Sequence, residues 1–251
     1  MPSSSHRPRK RFGQHFLHEA GVLRRLIEAI SPSEKDFIVE IGPGEGALTK
    51  LLLESAHVEA IELDRDLAAA LAGQFPPWRL TVHCADALEF DFARFPAGMR
   101  LVGNLPYNIS TPLLFHLARF ASRVKDMHFM LQLEVVERMV AACSTPAYGR
   151  LSVALQARFR MKKLFNVSKG AFRPPPKVES ALVRLEPLPQ MLEIDADLLR
   201  KAFSARRKQL RNALPLSEDD YLRLGIDPRL RPENLSPEDF ARISALSACA
   251  R

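Results

Sequence analysis

Four short apolar runs, each followed by a stretch of different character, restrict this chain to few architectures. They are Phe37-Ile38-Val39-Glu40-Ile41, His57-Val58-Glu59-Ala60-Ile61-Glu62, Leu80-Thr81-Val82-His83-Cys84 and Arg100-Leu101-Val102-Gly103. Each has the length and apolar content of a buried strand. Ala47 to Ser55 and Leu67 to Leu71 read as helices between them. Strands separated by helices are joined by crossovers, which lay them parallel and cover both faces of the sheet. The expected fold class is therefore α/β, a Rossmann-like and mostly parallel sheet.

The pattern continues beyond the fourth strand. Ser110 or Thr111 is expected to cap a helix with Pro112 in its first turn and Leu113, Leu114, Leu117 and Phe120 on its apolar face. Met127 to Leu133 reads as a fifth strand and Val135 to Ala142 as a helix. Leu151 to Arg160 alternates loosely and reads as a strand; Glu179 to Leu185 alternates well and reads as the last one. No long helix separates these late strands, so an antiparallel hairpin is expected at one edge. Upstream, Leu23, Leu26, Ile27 and Ile30 give residues 17–30 a helical spacing.

Pro187-Leu188-Pro189 marks a boundary. Beyond it Leu198, Leu199, Phe203, Leu210 and Leu214 recur at helical intervals, and Pro215, Pro228, Pro232 and Pro237 divide the tail. This predicts a sheet domain over 1–188 and a small all-α domain over 189–251. Residues 1–11, rich in Arg and Lys, read as a flexible basic arm.

Two motifs carry chemistry. Glu40-Ile41-Gly42-Pro43-Gly44-Glu45-Gly46 runs from a strand into a glycine loop, where Gly42 and Gly44 let backbone approach a ligand. Its G-x-G-x-G spacing suits a pyrophosphate less well than G-x-G-x-x-G. Glu62 and Asp86 end the next two strands, placed for a ribose diol and an adenine amine. The second motif, Asn104-Leu105-Pro106-Tyr107, ends the fourth strand. The Asn104 side-chain oxygen and the Leu105 carbonyl can accept from an exocyclic amine. Pro106 holds Leu105 extended, and Tyr107 can stack on a base. A nucleoside-like cofactor beside an amine grip points to methyl transfer onto the amino group of a base.

The net charge of +7 favours a polyanionic partner such as RNA or DNA. No long uncharged apolar run appears, so neither a membrane span nor a secretory signal is expected. Cys84, Cys143 and Cys249 are odd in number and far apart, which suits neither a disulfide framework nor a zinc cluster and favours a reducing compartment. His15 and His18 lack further ligands, so no metal is expected.

Together these residues resemble the ribosomal RNA adenine dimethyltransferases, in the bacterial branch that modifies small-subunit (16S) rRNA. The resemblance rests on Lys10 to Leu17, Val39 to Gly46, Val102 to Ser110, Phe172 to Ser180 and Phe203 to Leu210, and spans nearly the whole chain. It implies S-adenosyl-L-methionine as donor and S-adenosyl-L-homocysteine as by-product. The product would be N6,N6-dimethyladenosine at two adjacent adenosines in the 3′-terminal hairpin loop. It also implies a cytoplasmic enzyme, monomeric, with 16S rRNA or the immature small ribosomal subunit as partner. His15 and Leu17 would contact the cofactor, Gly42 its methionine end, Glu62 its ribose, Asp86 its adenine, and Asn104 both cofactor and target. Phe172 would meet the second face of the base. Arg206, Arg207, Lys208 and Arg211, expected on one part of a helix, would contact RNA phosphates. Position 15 is often Asn in relatives, and Leu133 stands where they often carry Lys. Two other readings stay open: a large-subunit rRNA methyltransferase conferring antibiotic resistance, and an assembly factor acting mainly by binding. The Gly13 to Leu17 block and the basic tail favour the small-subunit enzyme.

Overall fold

The computed structural model describes residues 14–249, so the basic arm lies outside the described residues. The chain starts β1 (Phe16–Leu17), α1 (Ala20–Ile30), β2 (Ile38–Ile41), α2 (Ala47–Leu52), β3 (Val58–Glu62), α3 (Arg65–Ala72), β4 (Leu80–Cys84) and β5 (Met99–Asn104). It continues α4 (Ser110–Ala118), β6 (Val124–Gln132), α5 (Leu133–Met139), α6 (Arg150–Gln156), β7 (Phe159–Val167), β8 (Phe172–Arg173) and β9 (Ser180–Pro187). The tail holds α7 (Ala196–Ser204), α8 (Leu210–Ala213), α9 (Glu218–Leu224) and α10 (Pro237–Cys249).

Seven strands form one sheet in the order β4-β3-β2-β5-β6-β9-β7. The pairs from β4 to β6 are parallel, and β9 runs antiparallel to β6. The mostly parallel sheet with an antiparallel edge region is as expected. Every residue of β2 is buried, because helices cover both faces of a parallel sheet. The strand order reverses between β2 and β5, whose carboxyl ends carry the glycine loop and Asn104. That is the crevice in which doubly wound sheets bind ligands.

Contacts divide the chain into two compact units, 1–136 with 162–186, and 137–161 with 187–251. The expected boundary at 188 therefore misses a first crossing. Tyr148 and Val153 are fully buried in a cluster with Leu199, Ala202, Leu210 and Phe240, and the Tyr148 hydroxyl donates to the Leu235 carbonyl at 2.9 Å. The 137–161 segment thus supplies core to the helical unit.

Local differences have local causes. Leu151 to Gln156, expected as strand, is the helix α6, with Leu151, Ser152, Val153 and Leu155 all buried. Small Ser152 and Ala154 between large residues imitate a two-residue period. The strand begins only at Phe159, and its exposed cations hid it. Helix α4 starts at Ser110, but no side chain caps it; the Ser110 hydroxyl donates to the Tyr107 carbonyl at 3.1 Å. Asp64 does cap α3, accepting from the Asp66 amide at 3.1 Å.

Candidate active site

A cavity of about 310 Å³ opens at the carboxyl ends of β2, β3 and β5. Its walls include His15, Leu17, Gly42, Gly44, Glu62, Asp86 and the whole Asn104 to Tyr107 turn. Residues 89 positions apart in the chain thus meet around one space.

The glycine loop is shaped by backbone that other residues adopt poorly. Gly42 and Gly44 have φ of 69° and 57°, in the left-handed region. A Cβ on Gly44 would also stand 2.9 Å from the Phe16 ring. Glu62 ties this loop to its own strand end. One carboxylate oxygen accepts from the Gly44 amide at 3.1 Å and the other from the Asp64 amide at 2.9 Å. Burial raises its pKa, against the lowering effect of those amides. Each oxygen keeps a further lone pair, the requirement for gripping a diol. Asp86 accepts from the Leu88 amide at 2.8 Å, which fixes its carboxylate at the cavity wall.

Asn104 is oriented by one bond. Its Nδ2 donates to the His15 carbonyl at 2.8 Å, so Oδ1 is left as the free acceptor of the amide. The neighbouring Leu105 is held twice, by its amide donating to Met130 at 3.1 Å and by a side chain 1% exposed. The Tyr107 ring stacks on His15 with centroids 5.4 Å apart, and its hydroxyl bonds to Ser180 Oγ at 2.5 Å. Burial raises the Tyr107 pKa, so the phenol stays protonated. His15 Nδ1 lies 2.7 Å from the Pro174 carbonyl, which links the N-terminal segment to the proline-rich strap.

Two expected contacts are not formed as foreseen. Phe172 is 2% exposed and absent from the cavity wall. Its backbone pairs with Leu17, and its side chain packs in the core cluster with Leu17 and Met130, so it offers no face to a base there. Arg206, Arg207 and Lys208 occupy the turn between α7 and α8, and only Arg211 is helical. Arg206 is held by Glu233 at 2.5 Å and by the Pro146 carbonyl at 2.7 Å; Arg207, Lys208 and Arg211 are exposed.

Two residues went unassigned from the sequence. Glu40, 2% exposed, lines the cavity and accepts from Thr49 Oγ1 at 2.6 Å; burial pushes its pKa up to about 7. A carboxylate inside an apolar strand was the available signal. Gly103 admits no Cβ, which would fall 2.3 Å from the Ile41 carbonyl, and nothing in the local sequence marks that approach.

The cavity fits S-adenosylmethionine. A loop of left-handed glycines and the carboxylates of Glu62 and Asp86 line one cavity, the chemistry that an amino acid end, a ribose diol and an adenine amine require.

The comparisons agree. The family model described as ribosomal RNA adenine dimethylase matches residues 5–248. A ribosomal RNA small subunit methyltransferase A from Aromatoleum aromaticum is 56% identical over 250 residues, covering 96% of this chain and 94% of that protein. The protein of the same name from Thiobacillus denitrificans is 54% identical, covering 97% and 99%. Among solved structures, a dimethyladenosine transferase from Plasmodium falciparum superposes with a TM-score of 0.79 at 28% identity, covering 94% of this chain and 98% of that one. The 23S rRNA methyltransferase ErmE shares the fold, with a TM-score of 0.68 at 24% identity and coverage of 92% and 98%. A glycine-loop cavity closed by an oriented Asn104 and a full-length family match lead to one statement: this chain belongs to the ribosomal RNA adenine dimethylase family.

Proposed function

We propose that the protein dimethylates the N6 amines of two adjacent adenosines in the 3′-terminal hairpin loop of small-subunit rRNA, using S-adenosylmethionine, as a step in small-subunit biogenesis. The observation that carries this reading is the orientation of Asn104: it lines the cavity and its Nδ2 donates to the His15 carbonyl, which leaves Oδ1 as the acceptor of the amide. Relatives more than half identical over nearly their full length are named small subunit methyltransferases, whereas the large-subunit enzyme ErmE is 24% identical.

The bound donor supplies a methyl group made electrophilic by its sulfonium. The chain supplies position. An adenine amine is a poor nucleophile because its lone pair is delocalised into the ring. Asn104 Oδ1 and the Leu105 carbonyl accept its two hydrogens and favour a pyramidal nitrogen whose lone pair is free to react. Both acceptors are held before substrate arrives, so orientation is the main catalytic contribution. Tyr107, its hydroxyl tied to Ser180, presents a ring on which a base can stack, a contact worth roughly 1–3 kcal/mol. No strong base is needed, because the nitrogen becomes acidic as it is alkylated and gives its proton up to water, while the two oxygens orient its hydrogens without taking them. Glu62 holds the ribose and Asp86 the adenine of the donor, with His15 and Leu17 closing the cavity beside them. Arg207, Lys208 and Arg211 of the helical unit reach rRNA phosphates; Arg206 serves structure instead. None of the described helices is long and apolar enough to cross a membrane. The reading carries with it a cytoplasmic, monomeric protein.

The test is nucleoside mass spectrometry of both rRNAs after incubation with purified protein and isotopically labelled donor. Label should appear as N6,N6-dimethyladenosine in the 3′-terminal fragment of small-subunit rRNA. Label confined to large-subunit rRNA contradicts the reading.

A further inference from the structure

The segment from β7 to the start of β9 carries an unbalanced charge. Lys162, Lys163, Lys169, Arg173 and Lys177 are all exposed, and Glu179 is the one carboxylate among residues 162–179. Among the described residues, none of these five side chains makes a hydrogen bond or an ion pair. They contrast with Arg206, which Glu233 neutralises, and with Arg158, Arg184, Arg200, Arg229 and Arg242, each paired with a carboxylate.

The fold strings these cations along one path. Strand β7 is the outer edge of the sheet, so Lys162 and Lys163 stand on an uncovered border. The chain then turns through Lys169 into β8, which pairs antiparallel with β1 at Phe16 and Leu17, two residues of the cavity wall. Arg173, opposite Phe16 in that pairing, and the next residue, Pro174, whose carbonyl meets His15, bring the path to the cavity mouth. Beside the edge, the Arg25 guanidinium of α1 lies 3.8 Å from the Phe165 ring centroid and adds a cation held in place. Glu19 and Glu28, at the start of α1 and on it, and Glu179 are exposed carboxylates near this border.

We infer that this strip, Lys162-Lys163-Lys169-Arg173-Lys177, is a phosphate track that leads the backbone of the rRNA substrate to the cavity. The inference rests on the rRNA reading above and names where that RNA lies on the sheet unit. Edge strands also carry lysines simply to block pairing with other sheets. That explanation covers Lys162 and Lys163, but Lys169, Arg173 and Lys177 lie beyond that edge strand. Phosphates bound by free cations release counterions, so the track has a signature that edge protection lacks.

The experiment compares wild type with Lys162→Gln/Lys163→Gln/Lys169→Gln by filter binding of purified small-subunit rRNA across a salt series. Calorimetric affinity for S-adenosylmethionine serves as the check of folding. The expected result is a log Kd against log salt slope smaller by about 2, from roughly 0.7 per lost single-strand phosphate contact, with donor affinity unchanged. A Lys169→Gln/Lys177→Gln variant leaves the edge strand intact and should lower the slope by about 1. An unaltered slope in both variants, with rRNA methylated normally, overturns the track alone. Wild-type protein that binds the donor and leaves rRNA unmethylated overturns the functional reading and the track with it.

Discussion

Glu62 serves the fold and stands where the proposed ribose contact requires it. It joins the glycine loop to β3 through the Gly44 and Asp64 amides while facing the cavity. Glu62→Ala should weaken donor binding at least tenfold by calorimetry; unchanged affinity would remove the ribose contact. Glu40 makes a pH prediction. Its pKa is about 7 in the fold against an ordinary 4.5, because burial disfavours the charge. An acid whose pKa is raised by folding adds stability that is complete below pH 4.5 and lost as pH rises through 7. Glu40→Gln should therefore stabilise the ligand-free protein by about 3 kcal/mol at pH 8 and leave it unchanged near pH 4, read from urea unfolding. Equal stabilities of the two proteins at both pH values would show that folding does not shift the Glu40 pKa. At this scale the sequence was informative where residue type dictates chemistry: Gly42, Gly44, Glu62, Asp86 and Asn104 all reach the cavity wall. It was silent where a neighbour decides, as for Gly103 beneath Ile41 or Phe172 in the core.

Elements are joined near the amino ends of β5 and β6 by a buried ionic network. The Arg100 guanidinium on β5 binds Asp126 of β6 at 2.9 Å, Asp36 at 2.8 Å, and the carbonyls of Ile30 and Ser31 that end α1. Burial opposes the charge on Asp36, but hydrogen bonds from Lys125, Ser33 and Arg100 outweigh it and hold its pKa down at about 2. Removing the guanidinium leaves the buried Asp126 without its cation, while Asp36 keeps Lys125 and Ser33; breaking such a buried pair typically costs about 3–5 kcal/mol. Arg100→Leu should lower stability by that order in urea unfolding, and the loss should shrink as acid protonates the carboxylates. A loss under about 1 kcal/mol would show the pair to be screened. Strands β2 to β5 were legible because parallel sheets need continuous apolar runs. Strand β7 was not, since an edge strand meets solvent and its exposed Lys162 and Lys163 break the alternation.

The whole molecule consists of two compact units between which the chain passes more than once. The proline-rich stretch at 187–189 announced the last passage. The earlier excursion through 137–161 has no such marker, because what assigns Tyr148 and Val153 to the helical unit is long-range packing. The sheet unit holds the whole cavity, from Gln14 to Met130, and all five cations of the proposed track. Turnover should therefore depend on groups within the sheet unit, with the exposed cations Arg207, Lys208 and Arg211 adding affinity for RNA.

The role of Asn104 as acceptor for an adenine amine is tested by single-turnover methylation of small-subunit rRNA by Asn104→Ala. Donor and RNA affinities are measured on the same preparation, since the substitution also frees the His15 carbonyl. N6-methylation should slow at least a thousandfold while RNA binding is largely retained and donor binding remains measurable. Dimethyladenosine formed at the wild-type rate would contradict that role.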